Sequence, residues 1–162
     1  MSESFDVDDV VERLGQVCHD ALVGIGQPGR LALSFTRAAV SAESAMVSAL
    51  SDGKKAVPAA KLVEVTPDFV GLTDVAELIG VSRQNMRKLM LVNPDTFPAP
   101  IHEGSSALWH LATLLEWLKD RDGYQIDQSL LEVARTAMQI NLTKEASQIE
   151  RRVQRVVTGL VA

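Results

Sequence analysis

Hydrophobic and polar positions along the chain change period several times, and the changes divide it into elements. "SFDVD" alternates Phe5 and Val7 with polar neighbours, the two-residue period of a short strand. From Asp8 or Asp9, either able to cap, "VVERLGQVC" places Val10, Leu14, Val17 and Cys18 on one helical face. "ALVGIG", the turn "QPG" and "RLALSFTR", in which Leu31, Leu33 and Phe35 alternate, predict two strands joined by a turn. A second helix starts at a Ser41 cap in "SAESAMVSAL" and aligns Ala45, Met46, Ala49 and Leu50. "KLVEV" returns to the strand period. The order β-α-β-β-α-β is the split arrangement of ferredoxin-like domains, so residues 1–67 are expected to form one.

The period then becomes helical. In "LTDVAELIG", Thr73 or Asp74 is the cap, Val75, Leu78 and Ile79 form the apolar stripe, and Gly80 stands where a left-handed C-terminal cap is needed. Ser82 caps a further helix after only "GVS", and a three-residue connection containing glycine is a helix-turn-helix arrangement. Turned at about 100 degrees per residue, this second helix places Met86, Leu89 and Met90 on one side. Gln84 and Lys88 lie opposite, with Arg83, Asn85 and Arg87 on the flanks. Such a face meets base edges through Gln, Asn and Arg, and phosphates through Arg and Lys.

Pro94, Pro98 and Pro100 interrupt helix in "VNPDTFPAPIHEGSSALWH", and "APIHEGSSALW" is expected to turn at Gly104 and Ser105 as a small hairpin. Leu111, Leu114, Leu115 and Leu118 then follow helical spacing to a stop near "DRDG". "GLTDVAELIGVSRQNMRKLM" followed by "FPAPIHEGSSALWHLATLLEWL" resembles the winged helix-turn-helix of the MerR superfamily, especially its AlpA-like and excisionase-like phage regulators. The resemblance spans roughly residues 70–118. It implies a supporting helix over 73–79, a recognition helix over 82–91 in the major groove, and a wing over 101–108 near the backbone. Trp109 and Trp117 match the family's tryptophan after the wing and another in the helix behind it. His102 and Glu103 depart from the basic residues that suit a wing.

Beyond Asp127 the chain is helical again. Leu130, Leu131, Ala134, Ala137, Met138 and Asn141 follow one stripe, and Leu142, Ala146, Ile149, Val153, Val156 and Leu160 step by four and three in a short heptad-like seam. That seam predicts a partner, and a homodimer presenting two recognition helices to two half-sites is the expected use. The fold class read from the sequence is therefore α+β: a ferredoxin-like domain over 1–67, a winged helix-turn-helix over 68–122, and C-terminal helices over 126–162 for oligomerisation.

Composition alters this picture in one respect. The chain has 162 residues, 46% hydrophobic and 23% charged, enough apolar material for one core or two small ones. Its net charge of -5 repels nucleic acid as a whole, so binding must rely on a local basic patch. Arg83, Arg87 and Lys88, with no acid among them, are such a patch, whereas Glu145 and Glu150 dilute Arg151, Arg152 and Arg155. The lone Cys18 excludes an intramolecular disulfide, and no apolar run approaches the roughly 20 residues needed to cross a bilayer. No basic segment followed by an apolar stretch opens the chain, so a cytoplasmic protein without a membrane partner is expected.

Other chemistry is less well supplied. "GIGQPG" satisfies G-x-G-x-x-G at Gly24, Gly26 and Gly29, but an alternating strand follows where a dinucleotide site requires a helix, so the hairpin reading is preferred. "CHD" sets Cys18, His19 and Asp20 side by side, and adjacent residues point in different directions and cannot converge on one substrate. His102 and His110 lack accompanying cysteines or spaced carboxylates, so no metal and no cofactor are expected. Phe35 alone is too little for RNA stacking on the third strand. The sequence thus predicts a non-enzymatic, sequence-specific regulator of double-stranded DNA, with Ser82, Arg83, Gln84, Asn85, Arg87 and Lys88 as the DNA-binding residues. The alternative is an adaptor, antitoxin-like or phage-related, whose winged helix contacts a protein.

Overall fold

Asp6 accepts the backbone N–H of Asp8 at 3.1 Å and so caps α1, Val7–Val17, whose first turn carries Asp8 and Asp9 where the helix dipole favours carboxylates. The computed structural model describes residues 6–161. This capping outweighs the two-residue alternation that predicted a strand in "SFDVD": Val7 is the first helical residue, and Phe5 lies outside the described residues. Val10, Leu14 and Cys18 are buried as the helical period requires, while Val17 faces outward.

Two strands follow, β1 (Ala21–Ile25) and β2 (Leu31–Phe35), antiparallel with Val23 opposite Leu33. Arg30 donates its N–H to the Gln27 carbonyl at 2.9 Å in the turn, and Gly29 takes φ 78°, a value that favours glycine. α2, Ala42–Ala56, begins with Ser41 Oγ accepting the Ser44 N–H at 3.0 Å. Ala21, Val23, Leu33 and Phe35 pack on Val10, Leu14, Cys18, Ala56 and Val57 to make a small core.

The ferredoxin-like expectation is overturned. The sheet has only β1 and β2, its elements run α-β-β-α, and neither outer strand of the split motif exists among the described residues. "KLVEV" has strand-like alternation but no strand partner among the described residues. Leu62 and Val63 are exposed, and the Val65 backbone is instead held by a side chain of a later helix.

The chain divides into two compact units, Met1–Lys61 and Leu62–Ala162. The second contains β3 (Phe69–Val70), α3 (Leu72–Ile79), α4 (Arg83–Val92), β4 (Trp109–His110), α5 (Leu111–Lys119), α6 (Gln128–Ala146) and α7 (Arg151–Val161). β3 and β4 are antiparallel, Val70 opposite Trp109. Leu111, Leu114, Leu115 and Leu118, one face of α5, are fully buried with Val75, Met86, Leu131 and Ala134. Each such leucine contributes roughly 1.5–3 kcal/mol of burial. The first stripe of the C-terminal region is thus part of this unit's own core. α7, in contrast, buries no residue, and the helix is interrupted between Ala146 and Arg151. The molecule is mixed α and β and mainly helical, with seven helices and two small two-stranded sheets among the described residues.

Candidate nucleic-acid interface

The turn between α3 and α4 is built from three local devices. α3 is capped not by Thr73 or Asp74 as residue zero but from Gly71, whose N–H donates to the Asp74 carboxylate at 2.7 Å. Gly80 ends the helix at φ 73°, in the left-handed region that glycine enters without Cβ strain, and Val81 donates its N–H back to the Ala76 carbonyl at 2.9 Å. Ser82 Oγ then accepts the Asn85 N–H at 3.1 Å and starts α4. Such a cap contributes about 1 kcal/mol. Val75 and Ala76 carry α3 into the core, and Leu78, predicted on the apolar stripe, is exposed instead.

α4 is anchored by Met86, which is fully buried, with Leu89 and Met90 half-buried beside it. Arg83, Gln84, Arg87 and Lys88 are exposed. Among the described residues none of the three cations forms an ion pair, and no acid occurs in the helix to supply one. Asn85 differs from its neighbours: it is half-buried, and its Oδ1 accepts the Tyr124 hydroxyl at 3.1 Å. Nor is the outer face wholly polar. Leu91 and Val92, at its C-terminal end, are each 62% exposed.

Behind α4, prolines and aromatics fix the chain. Trp109 Nε1 donates to the Pro98 carbonyl at 2.8 Å, and Phe97 stands edge-on to both Trp109 and Trp117, at 6.1 and 4.9 Å between ring centres. The Arg121 guanidinium lies 3.7 Å over Trp117 and donates to Asn93 Oδ1 at 2.9 Å, so this cation is committed to the scaffold. The expected wing is a short antiparallel turn closed by the His102 and Leu108 pairing, with residues 101–106 exposed. A Cβ on Gly104 would stand 2.7 Å from His102 Nε2, the far end of an exposed side chain that can move aside.

The remaining sequence candidates fall elsewhere. His110 precedes α5 and sets Nδ1 at 2.7 Å from Asp68 Oδ1, while Asn141 Nδ2 donates to Asp68 Oδ2 at 2.8 Å and brackets the Val65 N–H and carbonyl, each at 2.8 Å. Asp68 and Asn141 are buried, and every buried polar side-chain atom described has a partner. The cluster therefore joins the chain before β3 to α6 and α5. Cys18 is buried and its thiol is pushed up by that burial, with Asp52 adding and Arg37 opposing, while Asp20 is held by Arg37. Gly24, Gly26 and Gly29 lie in or beside the hairpin.

Tyr124, Asp68 and Asn141 were not singled out for these contacts by sequence reasoning. Each acts on a residue far along the chain, and only the place of Asn141 on the stripe of α6 was visible beforehand. Compared with known proteins, the chain matches no family model, no curated protein and no solved structure.

Proposed function

We propose that the chain is a sequence-specific DNA-binding protein, a transcriptional regulator whose α4 enters the major groove. One observation carries the reading: Arg83, Arg87 and Lys88 stand exposed and, among the described residues, without carboxylate partners on a helix held by a glycine turn and a serine cap. An arginine or lysine in that state has its full donor set available. Arg and Lys neutralise phosphates, and Arg or Gln placed on the first turns of a recognition helix reaches base edges. Gln84, Arg87 and Lys88 read or clamp the groove, with Arg83 at the edge and Ser82 serving as the cap that sets the helix start. A bidentate base contact is typically worth about 1–3 kcal/mol.

Two copies complete the proposal. The exposed apolar residues of α7, Val153, Val156 and Leu160, offer a seam for pairing, and a two-fold dimer presents two α4 helices to two half-sites. A second reading, a module that contacts a protein, draws on the exposed Leu91 and Val92 beside the cationic face. The combined change Arg87→Ala and Lys88→Ala separates them. A DNA reader loses its gel shift on selected duplexes while its melting curve is unchanged; unaltered affinity refutes the assignment.

A further inference from the structure

Two surfaces of the second unit are left open, and their chemistry is complementary. α7 is the first. Turned at about 100 degrees per residue, it sets Val153, Val156, Val157 and Leu160 on one side, all exposed. Arg151 and Arg155 lie on the other side, and Arg152 borders the apolar stripe. α7 contains no acid, and among the described residues none of its arginines forms an ion pair; Glu145, close to them in the sequence, takes Lys144 at 2.7 Å instead. A helix of 11 residues is short of the roughly 12–15 at which isolated helices become stable in water, so this apolar face calls for a cover. Its own chain supplies none, since α7 buries no residue.

The second surface is a groove along β3 and α3. Pro67, Phe69 and Leu78 form its apolar wall, with Phe69 and Leu78 39% and 44% exposed, and Asp74 and Glu77 add two carboxylates. Among the described residues no cation lines it. Asp74 spends one oxygen on the Gly71 N–H, and Glu77 forms no ion pair among the described residues. At about 410 Å³ and open to solvent, the groove lacks the enclosure of a small molecule's site and suits side chains projecting from a helix.

We propose that α7 of one copy docks in the β3 and α3 groove of a second copy, its valines and Leu160 covering Phe69 and Leu78 and Arg152 meeting Glu77 and Asp74. Each copy carries both surfaces, so the exchange is reciprocal and closes a two-fold dimer. Pairing α7 with a second α7 would instead gather six arginines without an acid and leave Phe69 and Leu78 uncovered. The inference rests on the two-copy arrangement of the reading above and names its contact. No α4 residue lines the groove, so the α4 cations stay free.

The test mixes equal amounts of full chains carrying Leu78→Cys and full chains carrying Val156→Cys and adds a short bismaleimide. The unaltered chain, whose Cys18 is buried, is the blank. The mixture should yield cross-linked pairs several-fold above either variant alone. Val156→Cys cross-linking to itself reveals α7 against α7 and overturns the proposal. Both cysteines in one chain closing within that chain, or a chain that sediments singly at every concentration, also overturns it. If a cysteine variant fails to fold, charge exchange decides. Glu77→Arg and Arg152→Glu should each weaken the dimer about tenfold, as each dimer holds two such pairs, and the two together should restore it. A combined variant no tighter than either alone overturns the proposal.

No DNA enters these measurements, so the two failures separate. A seated α7 in a protein that binds no duplex overturns the DNA reading alone, and a bound duplex without a seated α7 overturns the docking alone.

Discussion

Arg37 in the first unit and Arg87 in the second are the same side chain in opposite circumstances. Arg37 donates to Asp20 at 2.6 and 2.8 Å and to Ser48 at 2.9 Å, pairs with Asp52 at 3.0 Å, and lies against the Phe35 ring. Its hydrogen bonds hold both aspartates below the ordinary carboxylate value, and those bonds in turn raise its own pKa. Arg87 is exposed, and with Arg83 and Lys88 it has no carboxylate partner among the described residues. A guanidinium's partners, more than its presence in a sequence, separate a structural cation from one available to something outside. The comparison predicts that removing engaged groups costs stability and that removing the α4 cations costs almost none.

The largest loss should come from Asn141→Ala. It leaves the Val65 backbone groups and one oxygen of the buried Asp68 unpaired, at a cost of roughly 3 kcal/mol. Trp109 and Trp117 both lie in the second unit, so tryptophan fluorescence in a denaturant titration reads this unit alone. A midpoint equal to that of the unaltered chain would remove the structural role given to the cluster.

Arg37→Ala should lower the stability of the first unit by a smaller amount and change its dependence on acid. Asp20 and Asp52 ordinarily titrate near 3.8 and are lowered in the fold, so their contribution is complete above that value and is lost as pH falls through the lowered folded values. Circular dichroism melts should show acid destabilisation below about pH 4, and Arg37→Ala should flatten the share of it that belongs to the first unit. The smallest change belongs to Arg87→Ala with Lys88→Ala, whose stability should stay within about 0.5 kcal/mol of the starting protein. A larger loss would mean that these cations support the fold.

Local signals explain what the sequence disclosed. Ser41, Ser82 and Gly80 act within a few residues of themselves, and the i, i+3, i+4 spacing of Leu111 to Leu118 depends on one helix, so these elements were readable in place. The hairpin around Gly29 was legible for the same reason. The first and last strands of the expected ferredoxin-like unit were not, because alternation is only half of a strand and the other half is a partner edge. "SFDVD" met a helix cap at Asp6, and "KLVEV" met the carboxamide of Asn141, a residue in α6. At the candidate interface, periodicity placed Arg83, Gln84, Arg87 and Lys88 outward. It could not show Tyr124 reaching Asn85, nor Asn93 bound to Arg121, since both contacts cross from one element to another.

The most direct test of the central claim is the salt dependence of binding to a selected duplex. If Arg83, Arg87 and Lys88 each release a counterion from a phosphate, log affinity should fall against log salt with a slope of about -2.7 for each α4 engaged, dropping to about -0.9 in Arg87→Ala with Lys88→Ala. Affinity indifferent to salt, or a slope unaltered by removing the two cations, would contradict the account.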